Sequence, residues 1–350
     1  MTIPNRYSPI AGPKHGGFGQ VIRCFDNLLN RDVVIKKILH PTELRRIVDE
    51  VVALQQAKSK HVVEIFDVII ENNGTNISIV EEYLPGPDLT NIRIEPNDEE
   101  SFLKIAYQIA KAIEDIHSRN VVHRDIKHNN IMFDASGYIR LFDFGLAKTG
   151  PLPGTTASVT GTPGFMAPEL YTSPSLVDKP VDIYAFGALM FYFATGGLPK
   201  CARPWPSPPT PLNPADSISN LGVTDSRLAS IIDQCLDIDP NARPTASELR
   251  MAFERRLLFG KHKAIVVSST GKLSVNTINK PVRATYGSNY VDLNYDGYDF
   301  IVTGIQGSVF INNNNAKIGD VLIGSHVITL GARAPRYFVT FDVSHPEVSI

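Results

Sequence analysis

The segment His123-Arg124-Asp125-Ile126-Lys127-His128-Asn129-Asn130 sets a carboxylate, two cations and amide side chains close together. Asp143-Phe144-Gly145 follows it, and Gly161-Thr162-Pro163-Gly164-Phe165-Met166-Ala167-Pro168-Glu169 lies further on. These residue types suit phosphoryl transfer from a nucleotide. That reaction needs a carboxylate to orient the acceptor hydroxyl, ligands for a metal that neutralises the phosphates, and a cation to meet the developing charge. Asp125 can be the carboxylate, Asn130 and Asp143 the metal ligands, and Lys127 the cation. Each string alone can arise by chance; three in this order point to one site.

Such groups need elements to position them. Phe18 to Phe25 and Val33 to Leu39 read as strands with a turn around Asp26–Asn30. Thr42 to Ala57 reads as a helix, with Leu44, Ile47, Val48, Val51 and Leu54 at helical spacing. Val62 to Ile70 and Ile77 to Tyr83 look like two further strands, and Leu84-Pro85-Gly86-Pro87 suits a hinge. Glu99 to Ser118 is helical, with Phe102, Ile105, Ala106, Ile109, Ile113 and Ile116 on one face. Helices are expected at 182–195, 226–236 and 246–258, with the proline-rich loop Pro199 to Pro214 between them. After Lys261 helical periodicity gives way to short β-branched and aromatic runs: Ala264–Ser268, Tyr298–Thr303, Gly307–Asn312, His326–Leu330 and Tyr337–Val343. This predicts a separate all-β module.

The strings and their order resemble the eukaryotic-type serine/threonine protein kinase family over about residues 7 to 258. The resemblance implies an α+β, bilobed fold: a β-rich lobe over about 7–83, a hinge at 82–88 and a helical lobe over 89–259. It implies transfer of the ATP γ-phosphoryl group to protein Ser or Thr hydroxyls, with autophosphorylation, and magnesium or manganese as the metal. Val33-Val34-Ile35-Lys36 looks like the family's third-strand motif, which makes Lys36 the grip on the phosphates. Lys37 is its twin, but strand neighbours face opposite sides, so one of the two serves. Glu50 is the expected helix partner, with Glu43 and Asp49 as rivals. Gly16, Gly17, Phe18, Gly19 and Val21 resemble the glycine-rich loop, although Lys14 stands where the family has its first glycine. By the same resemblance Val21 and Val34 roof the adenine slot, Met132 floors it, and backbone groups of Glu82 and Leu84 pair with the base. Glu81 then occupies the gatekeeper position; if it faces the pocket, it needs a partner or an elevated pKa. Asp88 either accepts the ribose hydroxyls or forms the turn before Leu89.

The family's pattern implies several further roles. Thr162 would bond Asp125 and Lys127, Asp182 would anchor the catalytic loop, and Arg243 would pair with Glu169. His123 and Phe144 would stack in the core, so His123 is no base. Arg124 can hold a phosphorylated activation loop, for which Thr149, Thr155, Thr156, Ser158 and Thr160 are candidate acceptors. His128 replaces a proline usual in the family, and Trp205 either packs the proline loop or anchors a partner.

Gly307-Ser308-Val309-Phe310-Ile311-Asn312-Asn313 and Ile318 to Gly331 are similar to the end of forkhead-associated domains, β-sandwiches that read phosphothreonine. The boundary is set so that 1–259 is the kinase domain and 260–350 a small β-sandwich. Arg283, Ser288 and Asn312 or Asn313 would be the phosphate contacts of residues 261–350; a sandwich that binds no phosphate stands as the alternative. A pseudokinase scaffold or a phosphothreonine-binding adaptor are the rival readings of the whole chain.

Composition narrows the classes further. A net charge of −2 over 350 residues gives no sign of nucleic acid as a partner. Cys24, Cys201 and Cys235 are too few and scattered for a disulfide framework and fit a reducing cytosol, so a cytoplasmic location is expected. Met1 to Ile10 shows no apolar run of a signal peptide. Ile183 to Leu198 is the longest apolar stretch and falls short of the about 20 residues a bilayer span needs.

Overall fold

A computed structural model describes residues 5–16, 19–37, 44–71, 76–92, 98–149, 154–156, 160–172, 174–202, 206–223, 225–268 and 271–344. It forms two compact units, Met1–Phe253 and Glu254–Ile350.

The first unit opens with an antiparallel sheet. Its strands are β1 (Tyr7–Pro9), β2 (Lys14–Gly16), β3 (Gly19–Asp26), β4 (Arg31–Lys37), β5 (Ile65–Glu71) and β6 (Asn76–Glu82), in the order β1-β3-β4-β6-β5, with β2 also on β3. Alternation decides its faces. Ile22, Cys24, Val33, Ile35 and Val80 form one buried cluster with Tyr7. The chain enters this sheet through Arg6, whose guanidinium makes two hydrogen bonds to the Asp26 carboxylate at 2.9 and 2.7 Å. Helix α1 (Leu44–Gln56) follows β4, and its Ala53 and Leu54 are buried.

Helices dominate the remainder of this unit. Helix α2 (Glu99–His117) begins where the Asp98 side chain accepts from the Ser101 amide, with Glu99 and Glu100 favourably placed at its positive end. Its Phe102, Ala106, Ile109, Ile113 and Ile116 face is buried as the sequence pattern predicts. Each of its phenylalanine and isoleucine side chains contributes about 1.5–3 kcal/mol of burial. Helix α3 (Pro180–Thr195) is apolar almost all round and buried, and stops at Gly196, which takes the left-handed φ of 72°. Helix α4 (Ser226–Cys235) is capped by Asp225, and α5 (Ala246–Leu257) sends Phe253 into the core beside Phe102 and Phe186. Two short antiparallel strand pairs complete the unit: β7 (Ile131–Phe133) with β8 (Ile139–Leu141), and β9 (Gly154–Thr156) with β10 (Ser175–Val177).

The second unit is a two-sheet sandwich. One sheet has the order β12-β11-β20-β19-β16-β17, from β11 (Ala264–Ser268), β12 (Gly271–Val275), β16 (Val309–Ile311), β17 (Asn314–Asn315), β19 (His326–Leu330) and β20 (Tyr337–Val343). The other is β13-β14-β15-β18, from β13 (Val282–Tyr286), β14 (Asn289–Tyr295), β15 (Phe300–Gln306) and β18 (Val321–Leu322). Alternate residues of both sheets, among them Val266, Val291, Leu293, Tyr295, Val302, Ile328, Val339 and Phe341, meet in one core. Among the described residues no helix is long and apolar enough to cross a membrane.

Candidate active site

Strand β4 fixes the first half of the site. Val33 and Ile35 point into the sheet's buried cluster, so Val34 and Lys36 stand on the opposite face. Lys36 lies opposite Val21 on β3 and Ile79 on β6, and Val34 lies opposite Glu81. Val21, Val34, Lys36 and Glu81 therefore share one face. Lys37 has the parity of the cluster side. The Lys36 ammonium donates to Glu50 Oε1 at 2.7 Å and to Asp143 Oδ1 at 2.8 Å. Glu50 is buried on α1, while its rival Asp49 is exposed and Glu43 lies outside the described residues.

Charge balance in this cluster follows from burial. Burial disfavours the Lys36 ammonium, but Glu50, Asp143 and Glu81 outweigh it and raise its pKa. Burial raises Glu50 against the pull of Lys36, while at Asp143 the ammonium wins and holds the carboxyl below its ordinary range. The two partners of the Lys36–Glu50 contact thus point in opposed directions. The short bonds to two carboxylates support a charged Lys36. Glu81 is 7% exposed, its Oε1 has no hydrogen-bond partner, and burial pushes its pKa up to about 8 against the opposing pull of Lys36.

The second half is built on the loop after α2. Thr162 Oγ1 donates to Asp125 Oδ1 at 2.6 Å and accepts from Lys127 Nζ at 2.7 Å. Lys127 Nζ also stands 2.7 Å from Asp125 Oδ2. Asn130 Nδ2 donates to the same oxygen at 3.1 Å and to the Asp125 carbonyl at 2.9 Å. This fixes the Asn130 amide by its nitrogen and turns its oxygen away from Asp125. The Lys127 charge also reaches Asp143. Both halves thereby converge through Asp143.

Asp182 holds this loop from below. Its carboxylate accepts from the amides of His123 at 2.9 Å and Arg124 at 2.8 Å, and faces His117 Nε2 at 2.9 Å. Complete burial works to raise its pKa, but the bonds from His117 and the His123 amide outweigh it and lower it. Arg124 and Asp143 have φ of 70° and 62°, left-handed values that cost a non-glycine residue about 1–3 kcal/mol each. Bonds from Asp182 to the Arg124 amide and from Lys36 to the Asp143 carboxylate help hold these two conformations.

His123 is 0% exposed. The Asp125 amide donates to its Nδ1, so the proton sits on Nε2, which donates to the Phe142 carbonyl at 3.0 Å. The ring lies 4.6 Å from Phe144, and both ring nitrogens are used in the core.

Other expected residues fall out as follows. Gly16 pairs with Gly19 across β2 and β3, and the intervening Gly17 and Phe18 lie outside the described residues. The Glu82 amide donates to the Glu64 carbonyl, and Leu84 is buried just beyond it. Asp88 accepts from the Thr90 amide and bridges to Met132, the turn-forming role left open above. The Arg124 guanidinium donates to the Thr160 hydroxyl. Thr149 is half-buried; the side chains of Thr155 and Thr156 and all of Ser158 and Trp205 lie outside the described residues. Arg243 grips Glu169 with two bonds, at 2.7 and 2.9 Å.

Sequence reasoning missed His117, whose place at the end of α2 aims it at Asp182, and Asn130's grip on Asp125. It also gave His128 no role. That ring packs 4.3 Å from Tyr192 and 5.7 Å from Phe165, filling the place with an aromatic contact.

In the second unit the structure does not bring the expected phosphate contacts together as a free set. Arg283 is bound by Asp292 through two bonds, at 2.7 and 2.8 Å, and stacks over Tyr290. Ser288 lies in the tight turn between β13 and β14. Asn312 and Asn313 take left-handed φ in the turn from β16 to β17, and the Asn312 side chain is held by His326 and the Val327 amide.

Comparison with known proteins places these observations. A family model described as the protein kinase domain matches residues 15–252. Serine/threonine-protein kinase PAK 1 of Mus musculus is 28% identical over 256 residues, 70% of this chain and 45% of the relative. Serine/threonine-protein kinase WNK8 of Arabidopsis thaliana is 30% identical over 282 residues, 76% of this chain and 48% of the relative. The chain spans about half the length of such curated relatives.

Proposed function

We propose that this chain, which belongs to the protein kinase family, transfers the γ-phosphoryl group of ATP to serine or threonine hydroxyls of proteins, itself included. The observation that carries the reading is the Asp125–Thr162–Lys127 triangle, with bonds of 2.6 and 2.7 Å. It fixes a carboxylate and an ammonium side by side, as a hydroxyl acceptor and a transferring phosphoryl group require.

Asp125 takes the acceptor hydroxyl's proton as the oxygen–phosphorus bond forms. The bond from the γ-phosphorus to the bridging oxygen breaks, and ADP leaves. Lys127 meets the charge on the transferring group, and Thr162 keeps Asp125 and Lys127 in register. Lys36, oriented by Glu50, holds the phosphates. Val21 and Val34 cover the base, Met132 supports it, and the Glu82 carbonyl and Leu84 amide pair with its edge.

The residues present fit a magnesium ion. Asn130 spends its nitrogen on Asp125, and Asp143 spends one oxygen on Lys36, so each keeps one oxygen for a hard cation. Manganese suits the same oxygen donors. The ion supplies neutralisation of phosphate charge when bound.

Thr160 is the activation-loop acceptor best supported, since Arg124 already reaches its hydroxyl. We take 1–259 as the kinase domain and 260–350 as a forkhead-associated-like module for recognition or regulation. Its two-sheet sandwich supports that reading. The engagement of Arg283 by Asp292 argues against Arg283 as a phosphate contact.

A second reading, a signalling module without turnover, draws on Glu81, a third carboxyl beside Lys36 and itself buried. Incubation of the purified protein with ATP and magnesium, followed by mass spectrometry, tests both. Phosphate on Thr160 or a neighbouring hydroxyl supports turnover. No phosphate on the chain or on a general protein substrate would sink it.

A further inference from the structure

The Lys36 ammonium has three hydrogens to donate and two bonded partners, Glu50 and Asp143. A third carboxyl stands beside it. Ile79 lies directly opposite Lys36, and Glu81, two residues on and on the same face, is its diagonal neighbour. Diagonal cross-strand residues are about 7–8 Å apart at the backbone, within reach of long side chains. Glu81 is 7% exposed, and its Oε1 lacks any partner. Its charge acts on Lys36, and it feels Lys36, Glu50 and Asp143 in return. Burying an unpaired carboxyl is costly, and among the described residues the nearby group that can relieve it is this ammonium.

We propose that Glu81 is a second counter-ion for Lys36, a positioning residue that keeps the ammonium in the cleft when Glu50 is withdrawn. This rests on the nucleotide-binding reading of the site. Because Asp143 would share its carboxylate between Lys36 and a hard cation, Glu50 and Glu81 would be the two carboxyls left with Lys36 as their one nearby ammonium among the described residues. With Glu50 in place, Glu81 stays protonated at neutral pH and neither competes for Lys36 nor repels the phosphates. Without the Glu50 charge, which opposes its ionisation, Glu81 can ionise beside Lys36 and becomes the group that stops the ammonium from swinging away. The same side chain is therefore a bystander to nucleotide binding in one background and assists it in the other.

The test is a double-mutant cycle on the full chain, with Glu50→Gln and Glu81→Gln. It reads the Kd of a non-hydrolysable ATP analogue with magnesium by calorimetry. Glu81→Gln alone should leave Kd within about twofold, while in the Glu50→Gln background it should weaken Kd about threefold. In turnover assays in that background KM for ATP should move and KM for the protein substrate should not. Glu81→Met repeats the cycle with an apolar side chain, in case the amide misfolds. An effect of one sign and size in both backgrounds overturns the inference. Analogue binding without phosphoryl transfer overturns the turnover reading and leaves this one legible in Kd; a wild-type chain that binds no nucleotide overturns both.

Discussion

Arg243 presents two nitrogens to the two carboxylate oxygens of Glu169, at 2.7 and 2.9 Å, with no exposed side-chain surface of its own. The same guanidinium donates to the carbonyls of Pro180 and Asp237 at 2.9 and 2.8 Å. It thus ties the segment before α3 to the loop before α5. Removing one partner leaves an uncompensated buried charge, a loss of about 3–5 kcal/mol. Arg243→Met should lower the unfolding free energy of the first unit by that amount, read from the denaturant midpoint and slope. Arg243→Lys should recover only part, because an ammonium cannot make the parallel pair. A loss below about 1 kcal/mol, typical of exposed pairs, would show that the contact is not formed in solution.

Asp143 is the residue on which both halves of the site converge. Asp143→Ala removes one of the two bonded partners of Lys36 and one of two proposed metal ligands. The expected outcome is loss of magnesium-dependent phosphoryl transfer by a factor of about a thousand or more. The variant should remain folded, since Lys36 keeps Glu50. Calorimetry with the ATP analogue should show binding that no longer strengthens with magnesium. Full activity in Asp143→Ala would remove the proposed mechanism.

Much of this site was legible before any coordinates. The His123–Asn130, Asp143–Gly145 and Gly161–Glu169 strings name the side chains that the structure brings together around Asp125, Thr162 and Lys127, and short local motifs are read directly from sequence. The choice of Lys36 over Lys37 rested on the motif resemblance; parity alone said that one of the two serves, because which one depends on the face of β4 that meets the buried cluster. What was not legible comes from long-range pairing. His117 meets Asp182, and Gln108 accepts from the Ile139 amide, through helix packing that no local pattern encodes. In the second unit β13 and β14 escaped notice. Strand β14 alternates Val291, Leu293 and Tyr295 with Asn and Asp, residues that strands disfavour. Gly304 was the overlooked signal: any side chain there would come within 2.5 Å of the Asp292 carboxylate that binds Arg283.

Asp182 gathers three nitrogen donors on one buried carboxylate. Asp182→Asn replaces an acceptor oxygen with an amide NH2, a donor that must face another N–H. The unmet donors cost about 1–3 kcal/mol. The larger effect should be on rate, because the Arg124 amide would be released from its left-handed conformation and Asp125 would lose its register. We expect kcat to fall by about tenfold or more, with KM for ATP nearly constant, because the hinge and Lys36 are untouched. Steady-state kinetics on the variant checks the split, and a change confined to KM would contradict it.

Glu81 gives the fold a pH dependence of unusual sign. Its carboxyl titrates at about 8 in the folded chain against an ordinary 4.5. Below 4.5 the folded and unfolded forms both hold the proton. Between 4.5 and about 8 only the folded form holds it, so raising the pH favours unfolding. Above about 8 both have lost it and the contribution is level. The stability due to neutral Glu81 is therefore greatest in acid and is lost as pH climbs through that window. Glu81→Gln has no such proton. The Tm of the wild type minus that of Glu81→Gln should fall from about pH 5 to about pH 8 and then flatten. Carboxylates held low, such as Asp182, act with the opposite sign in acid, but they are present in both proteins and cancel in the difference. Lys36, Glu50 and Asp143 are the charged groups around Glu81, and all three remain in the variant. A difference that stays flat from about pH 5 to about pH 8 would mean that Glu81 is ionised throughout, with Lys36 shared among three charged carboxylates.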